Sequence, residues 1–164
     1  MTSPHHGLNT SKKIIIMVCR YQWSILKRKR IPSILVAIDG SEYSDKAFEY
    51  ACELSIMKNI PLIIINVVEE YATIGHSILR ELKKSSKQLL HEYKGRSESL
   101  DIRTARTIHS VGNAAEEILK IANGKDIDTL VIGSKGKYGT SKDMLGGTSY
   151  KLVHYSRCTV TVVK

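Results

Sequence analysis

Cysteine is scarce in this sequence and follows no pattern. Cys19, Cys52 and Cys158 are odd in number and show no C-x-x-C spacing, which argues against a disulfide framework or a zinc site and suits a reducing cytoplasm. No apolar run comes near the roughly 20 residues of a membrane helix, so no membrane span is expected. A secretory leader is not expected either, because residues 14–19 are short for an apolar core and run into Arg20 and a basic cluster rather than small residues. Acidic residues are missing from one place in particular. Residues 1–30 contain Lys12, Lys13, Arg20, Lys27, Arg28, Lys29 and Arg30 but no Asp or Glu, so seven of the nine net positive charges fall there and +2 remains for residues 31–164. The high isoelectric point therefore says little about what the body of the chain binds. Aromatic side chains hardly interleave with the basic run, and nucleic acid is not the expected partner.

The length suits one domain, and composition divides it into an extension, residues 1–30, and a body, residues 31–164. Residues 1–13 are polar and aperiodic and read as disordered; His5 and His6 supply too few ligands for a metal. Residues 14–30 could form a short helix holding Trp23, Ile25 and Leu26. The preferred reading is a solvated extension, upstream of the natural start if translation begins at Met17.

The body is regular. Residues 33–38 (SILVAI) form an apolar run of strand length, closed by Asp39-Gly40-Ser41. A helical pattern follows at Ala47, Tyr50, Ala51 and Leu54, with Ser41 or Ser44 as its N-cap. Residues 62–68 are apolar on both faces, as in a sheet covered on both sides. Ile74, Ile78, Leu82, Leu89 and Tyr93 mark a long amphipathic helix expected to stop near Gly95. Residues 102–109 suit an edge strand. Asn113 and Glu116 resemble a capping box ahead of Ala115, Ile118, Leu119 and Ala122. Strands at 129–132 and 159–163 enclose a last helix with Leu152 and Val153. Five strand–helix alternations without a hairpin signal predict an α/β fold, a doubly wound open parallel sheet with helices on both faces.

The most site-like stretch is residues 130–149, LVIGSKGKYGTSKDMLGGTS. An apolar run breaks at Gly133, a loop of glycine, lysine and hydroxyl residues follows, and Gly146 and Gly147 precede a helical pattern. Amides approach a ligand closely only where no Cβ intrudes, and the free N–H groups of a helix start suit phosphate. In a doubly wound sheet ligands sit beyond the carboxyl ends of the strands, where strand order reverses. That placement joins this loop to Asp39-Gly40-Ser41.

These residues carry a family signature. Gly133 and Gly136 are separated by two residues, Gly136 and Gly146 by nine, and hydroxyl residues follow. Together with VAIDGSEYS at 36–44 and CTVTVV at 158–163, residues 31–164 resemble the universal stress protein family in its nucleotide-binding branch. The resemblance implies a five-stranded parallel sheet in order 3-2-1-4-5, the adenine nucleotide alpha hydrolase-like arrangement. It also implies binding of ATP or AMP, with Mg2+ accompanying ATP. Ala37, Asp39 and Val67 would line the adenine and ribose pocket, with Ile132 beneath the base. Gly133, Lys135 and Gly136 would face ribose and phosphates, and Gly146, Gly147, Thr148 and Ser149 would cradle the phosphate chain. A homodimer paired through the last strand (Thr159, Val160, Thr161, Val162 and Val163) is implied as well, and an apolar terminal strand would otherwise leave an open edge. One departure is Gly147, which stands where the family usually has Ser.

Catalysis has no comparable signature. A Walker A loop is absent, and Thr73-Ile74-Gly75-His76 lacks the first His of the nucleotidyl-transferase H-x-G-H. His91, His109 and His154 lie on separate predicted elements. The leading expectation is a regulatory, stress-response module that binds adenine nucleotide and works through an unidentified protein partner. The alternatives are a slow ATP hydrolase, with Asp39 as its helper, and a dimeric scaffold with a degenerate pocket.

Overall fold

The computed structural model describes residues 15–17, 32–70, 75–102, 104–137 and 145–164. Ile74 and Lys142 lie outside them, as do residues 1–14 and 18–31, where disorder and most of a short helix were expected. Ten elements follow in order: β1 (Ile15–Met17), β2 (Ser33–Ala37), α1 (Glu42–Lys58), β3 (Leu62–Val68), α2 (His76–Glu98), β4 (Thr104–Val111), α3 (Ala114–Ala122), β5 (Ile127–Gly133), α4 (Gly147–Tyr155) and β6 (Thr159–Val163). The sheet order is β1-β6-β5-β2-β3-β4. Strands β2 to β6 are parallel to their neighbours and keep the 3-2-1-4-5 order expected of the body. β1 is the addition. It pairs antiparallel with β6, so the last strand is not the sheet edge that the sequence suggests, and residues 15–17 form a strand rather than the start of a helix.

Apolar runs become strands here because both faces are covered. Alternate residues of β2 enter different cores. Ile34 and Val36 join Phe48, Leu62, Ile64 and Tyr93 beneath α1 and α2. Leu35 joins Ile63, Ile65, Ile118, Leu130, Leu152 and Val160 on the side of α3 and α4. Local signals set several helix ends. The Ser41 hydroxyl accepts the Ser44 N–H at 3.2 Å, and the Asn113 side chain accepts that of Glu116 at 3.2 Å. α2 differs from expectation by running through Gly95 to Glu98. A helical glycine costs about 1 kcal/mol, and burial of Tyr93 and Ser97 on either side of Gly95 outweighs it.

α1 and α2 are tied by a polar contact at the rim of their core. The Tyr93 ring packs edge-on to Phe48 with centroids 4.8 Å apart, and its hydroxyl donates to Asp45. Arg96 Nη1 reaches the same Asp45 oxygen at 2.9 Å. Burial disfavours the Asp45 charge, but the bonds from Tyr93 and Arg96 and the guanidinium charge outweigh it, so the carboxyl titrates below its usual 3.8. A carboxyl depressed on folding stabilises the protein above its unfolded pKa, and that contribution is lost as pH falls through the folded value. Tyr93→Phe keeps the ring and removes the donor. Urea unfolding of this variant should show a loss of about 1 kcal/mol at neutral pH and a shallower decline below pH ~4.

Candidate functional site

β2 lies between β3 and β5, so the chain order reverses there and the loops leaving β2 and β5 open beside each other. The contact that joins them is made by Asp39. Its Oδ2 accepts the backbone N–H of Lys137 at 2.8 Å, across 98 residues of sequence. Its Oδ1 accepts the N–H of Ser41 at 3.0 Å. The loop beneath is braced twice more. Ser44 Oγ accepts the Gly40 N–H at 3.1 Å and donates to Ser41 O at 2.9 Å. Buried Asn66, on β3, donates from Nδ2 to Ile38 O at 2.7 Å. Neither Ser44 nor Asn66 was singled out for the site from sequence; the visible signal for Asn66 is an amide inside an otherwise apolar run.

The glycines owe their places to close packing. A Cβ on Gly133 would lie 2.8 Å from the Tyr43 carbonyl carbon, so α1 can meet the end of β5 only without one. A Cβ on Gly136 would lie 2.7 Å from Asp39 Oδ2, the oxygen that holds Lys137. Gly146 is the N-cap of α4, and its N–H donates to Ser134 O at 2.9 Å. Gly147 has open space about it.

Ala37, Val67 and Ile132 gather on the α3 and α4 side of the sheet, packed in one cluster with Leu145 and Ile108 nearby. Only Ile132 of the three is fully buried. Lys135 is 7% exposed, its Nζ lies 5.8 Å from the Tyr43 ring centroid, and among the described residues it makes no ion pair. Tyr43 has no sequence signal that marks it. Ser149 is buried and its hydroxyl donates to Gly133 O at 2.9 Å, which fixes the start of α4 against the end of β5. The Ser134 hydroxyl is buried with no hydrogen-bond partner among the described residues.

The start of α4 differs from those of α1 and α3. Ser41 and Asn113 cap those helices, whereas Gly146 offers α4 no side-chain cap. The first-turn amides of Gly147, Thr148 and Ser149 are thus left for another acceptor. A helix start of this kind suits an anion, and the apolar trio suits a flat ring. Residues 138–144, the middle of the glycine loop, lie outside the described residues.

Residues 31–164 match the model of the Universal stress protein family. The chain belongs to that family. Universal stress protein YxiE of Bacillus subtilis is 32% identical over 145 residues, spanning 80% of this chain and 97% of that protein. UspA from Lactobacillus plantarum shares the fold with a TM-score of 0.73 at 23% identity, covering 84% of this chain and 100% of that one. A universal stress protein solved in complex with cAMP gives a TM-score of 0.64 at 19% identity, covering 81% and 97%. The parallel body shares this fold, and β1 lies ahead of the matched residues.

A second charged surface runs along α2. His76, Arg80, Lys83, Lys84 and Lys87 line a shallow depression there. His109 of β4 bonds to Ser86 at 2.7 Å, and its pKa is lowered by burial and then by Lys87 and Lys83. The depression is lined by one helix alone and brings no groups together from different elements. Among the described residues no three His, Cys, Asp or Glu side chains gather as metal ligands, and no helix is long and apolar enough to cross a membrane.

Proposed function

We propose that this universal stress protein binds an adenine nucleotide, ATP or AMP, in the crevice above β2 and β5, and acts as a cytoplasmic regulatory module. The observation that carries the reading is the Asp39 bridge to Lys137, which brings the first loop and the glycine loop together beside an uncapped helix start. The base would rest on Ala37, Val67 and Ile132. Asp39 would accept from ribose hydroxyls or the adenine amino group. Gly133, Lys135 and Gly136 would face ribose and phosphates, and the amides of Gly146, Gly147, Thr148 and Ser149 would receive the phosphate chain. A family member solved with cAMP supports the ligand class. ATP would bring Mg2+ with it, and that ion is commonly held mostly by phosphate and water.

Binding is favoured over hydrolysis by the state of Asp39, the helper proposed for a hydrolase. Both of its oxygens already accept main-chain N–H groups, which commits the carboxylate to bracing the two loops. The body is also read as self-associating through the edge of β6 that β1 covers here, two copies pairing in antiparallel fashion.

The test is calorimetric titration with ATP and with AMP, run beside Gly147→Ser. The added hydroxyl would sit at the first residue of α4, in open space. A hydrogen bond to a charged group is worth about 1.5–3 kcal/mol before solvent competition, so affinity should rise several-fold. No heat with either nucleotide at millimolar ligand, in both proteins, would remove the reading. A gain in affinity is a demanding outcome, since a misfolded variant cannot produce it.

A further inference from the structure

β1 is the one antiparallel strand among the described residues, and it lies on the edge that self-pairing needs. Ile15 is opposite Val162, Ile16 opposite Thr161 and Met17 opposite Val160. Two copies of an edge strand related by a two-fold axis must also run antiparallel. β1 therefore presents to β6 the same direction of main chain that a second β6 would present. It is shorter than what it replaces: three residues face a strand of five, so Thr159 and Val163 lie beyond its register.

Residues 18–32 join β1 to β2, fifteen in all, and extended they would reach about 50 Å. The order β1-β6-β5-β2 asks them to cross three strand spacings, about 14 Å. The link is several times longer than the gap it spans. The hold of β1 is also weak. Only three residue pairs hold it to β6. What favours it over a second copy is tethering, which gives a short linked segment an effective concentration in the millimolar range.

We propose that residues 15–17 are a built-in cap that stands in for the β6 of a second copy, so that self-pairing requires release of the cap. The proposal rests on the reading that two copies pair through β6. It makes the extension a switch between a closed monomer and an open, self-pairing form. Anything that draws residues 15–17 away from β6 would promote the dimer.

The experiment compares the full chain with its Ile16→Pro variant by light scattering at micromolar protein, with amide hydrogen exchange at residues 160–162. Proline at the centre of β1 fixes φ and has no N–H to give to a ladder, so it disfavours the cap and leaves β6 intact. The expected result is a monomer for the unaltered chain and a doubled mass for Ile16→Pro, with the 160–162 amides protected in both. Two monomers, with exchange at these amides quickened in the variant, would overturn the proposal and the dimer reading together. Two dimers would overturn the proposal alone, because β1 would then not exclude the second copy. Unaltered exchange and unaltered mass would show that β1 caps nothing.

Discussion

Gly133→Ala is expected to destabilise the protein by about 2 kcal/mol, within the range seen when a methyl group is forced into a packed site. The added Cβ would meet the carbonyl carbon, the Cβ and the carbonyl oxygen of Tyr43 at 2.8, 2.9 and 2.9 Å. Two of those atoms are backbone in the first turn of α1, so no rotamer change relieves the contact. Either α1 lifts from the end of β5 or β5 bends, and both movements part the two loops that Asp39 joins. Urea unfolding should show a lower midpoint with an unchanged slope, the sign of altered stability rather than an altered unfolded state. Gly147→Ala is the control. A Cβ there meets nothing within 4 Å, and alanine is the better helix former, so the midpoint should hold or rise slightly. Equal midpoints for Gly133→Ala and the unaltered protein would mean that Tyr43 does not pack as described.

Asp39→Ala should weaken adenine-nucleotide binding about a hundred-fold. Hydrogen bonds to a charged group are worth about 1.5–3 kcal/mol, and each 1.4 kcal/mol is a factor of ten in affinity. Two effects combine. The acceptor proposed for ribose or the adenine amino group disappears, and the Lys137 and Ser41 amides lose the carboxylate that holds them. Calorimetric titration measures the sum, and two further variants divide it. Asp39→Asn keeps one acceptor oxygen and should fall between the extremes. Gly136→Ala leaves the carboxylate in place chemically but puts a methyl group 2.7 Å from its Oδ2, so it loosens the Lys137 contact without removing the charge. If Asp39→Ala binds AMP and ATP as tightly as the unaltered protein, the nucleotide does not sit against the first loop.

Much of this could be read from the chain. The run of β3 was bounded correctly on both sides, because seven apolar or buried positions after Pro61 suit a strand covered on both faces. Ser41 and Asn113 announced the helices they cap, since a cap acts on amides only three residues away. The glycine spacing was legible too, and the family resemblance it carries implied the order of the five parallel strands. The stopping point of α2 was not, because the burial of Tyr93 and Ser97 that carries the helix past Gly95 depends on α1 and the sheet.

The sequence by itself determined the alternation of strands and helices and the caps, written in residues close together along the chain, and the family, written in motifs at 36–44, 133–149 and 158–163. Only the tertiary structure decided why Gly133 and Gly136 must lack a side chain, that Asp39 grips the amide of Lys137, and that β6 is covered by three residues from the far end of the molecule. Those contacts join positions tens of residues or more apart. Such positions meet only after the sheet has set its strand order, so no local pattern encodes them.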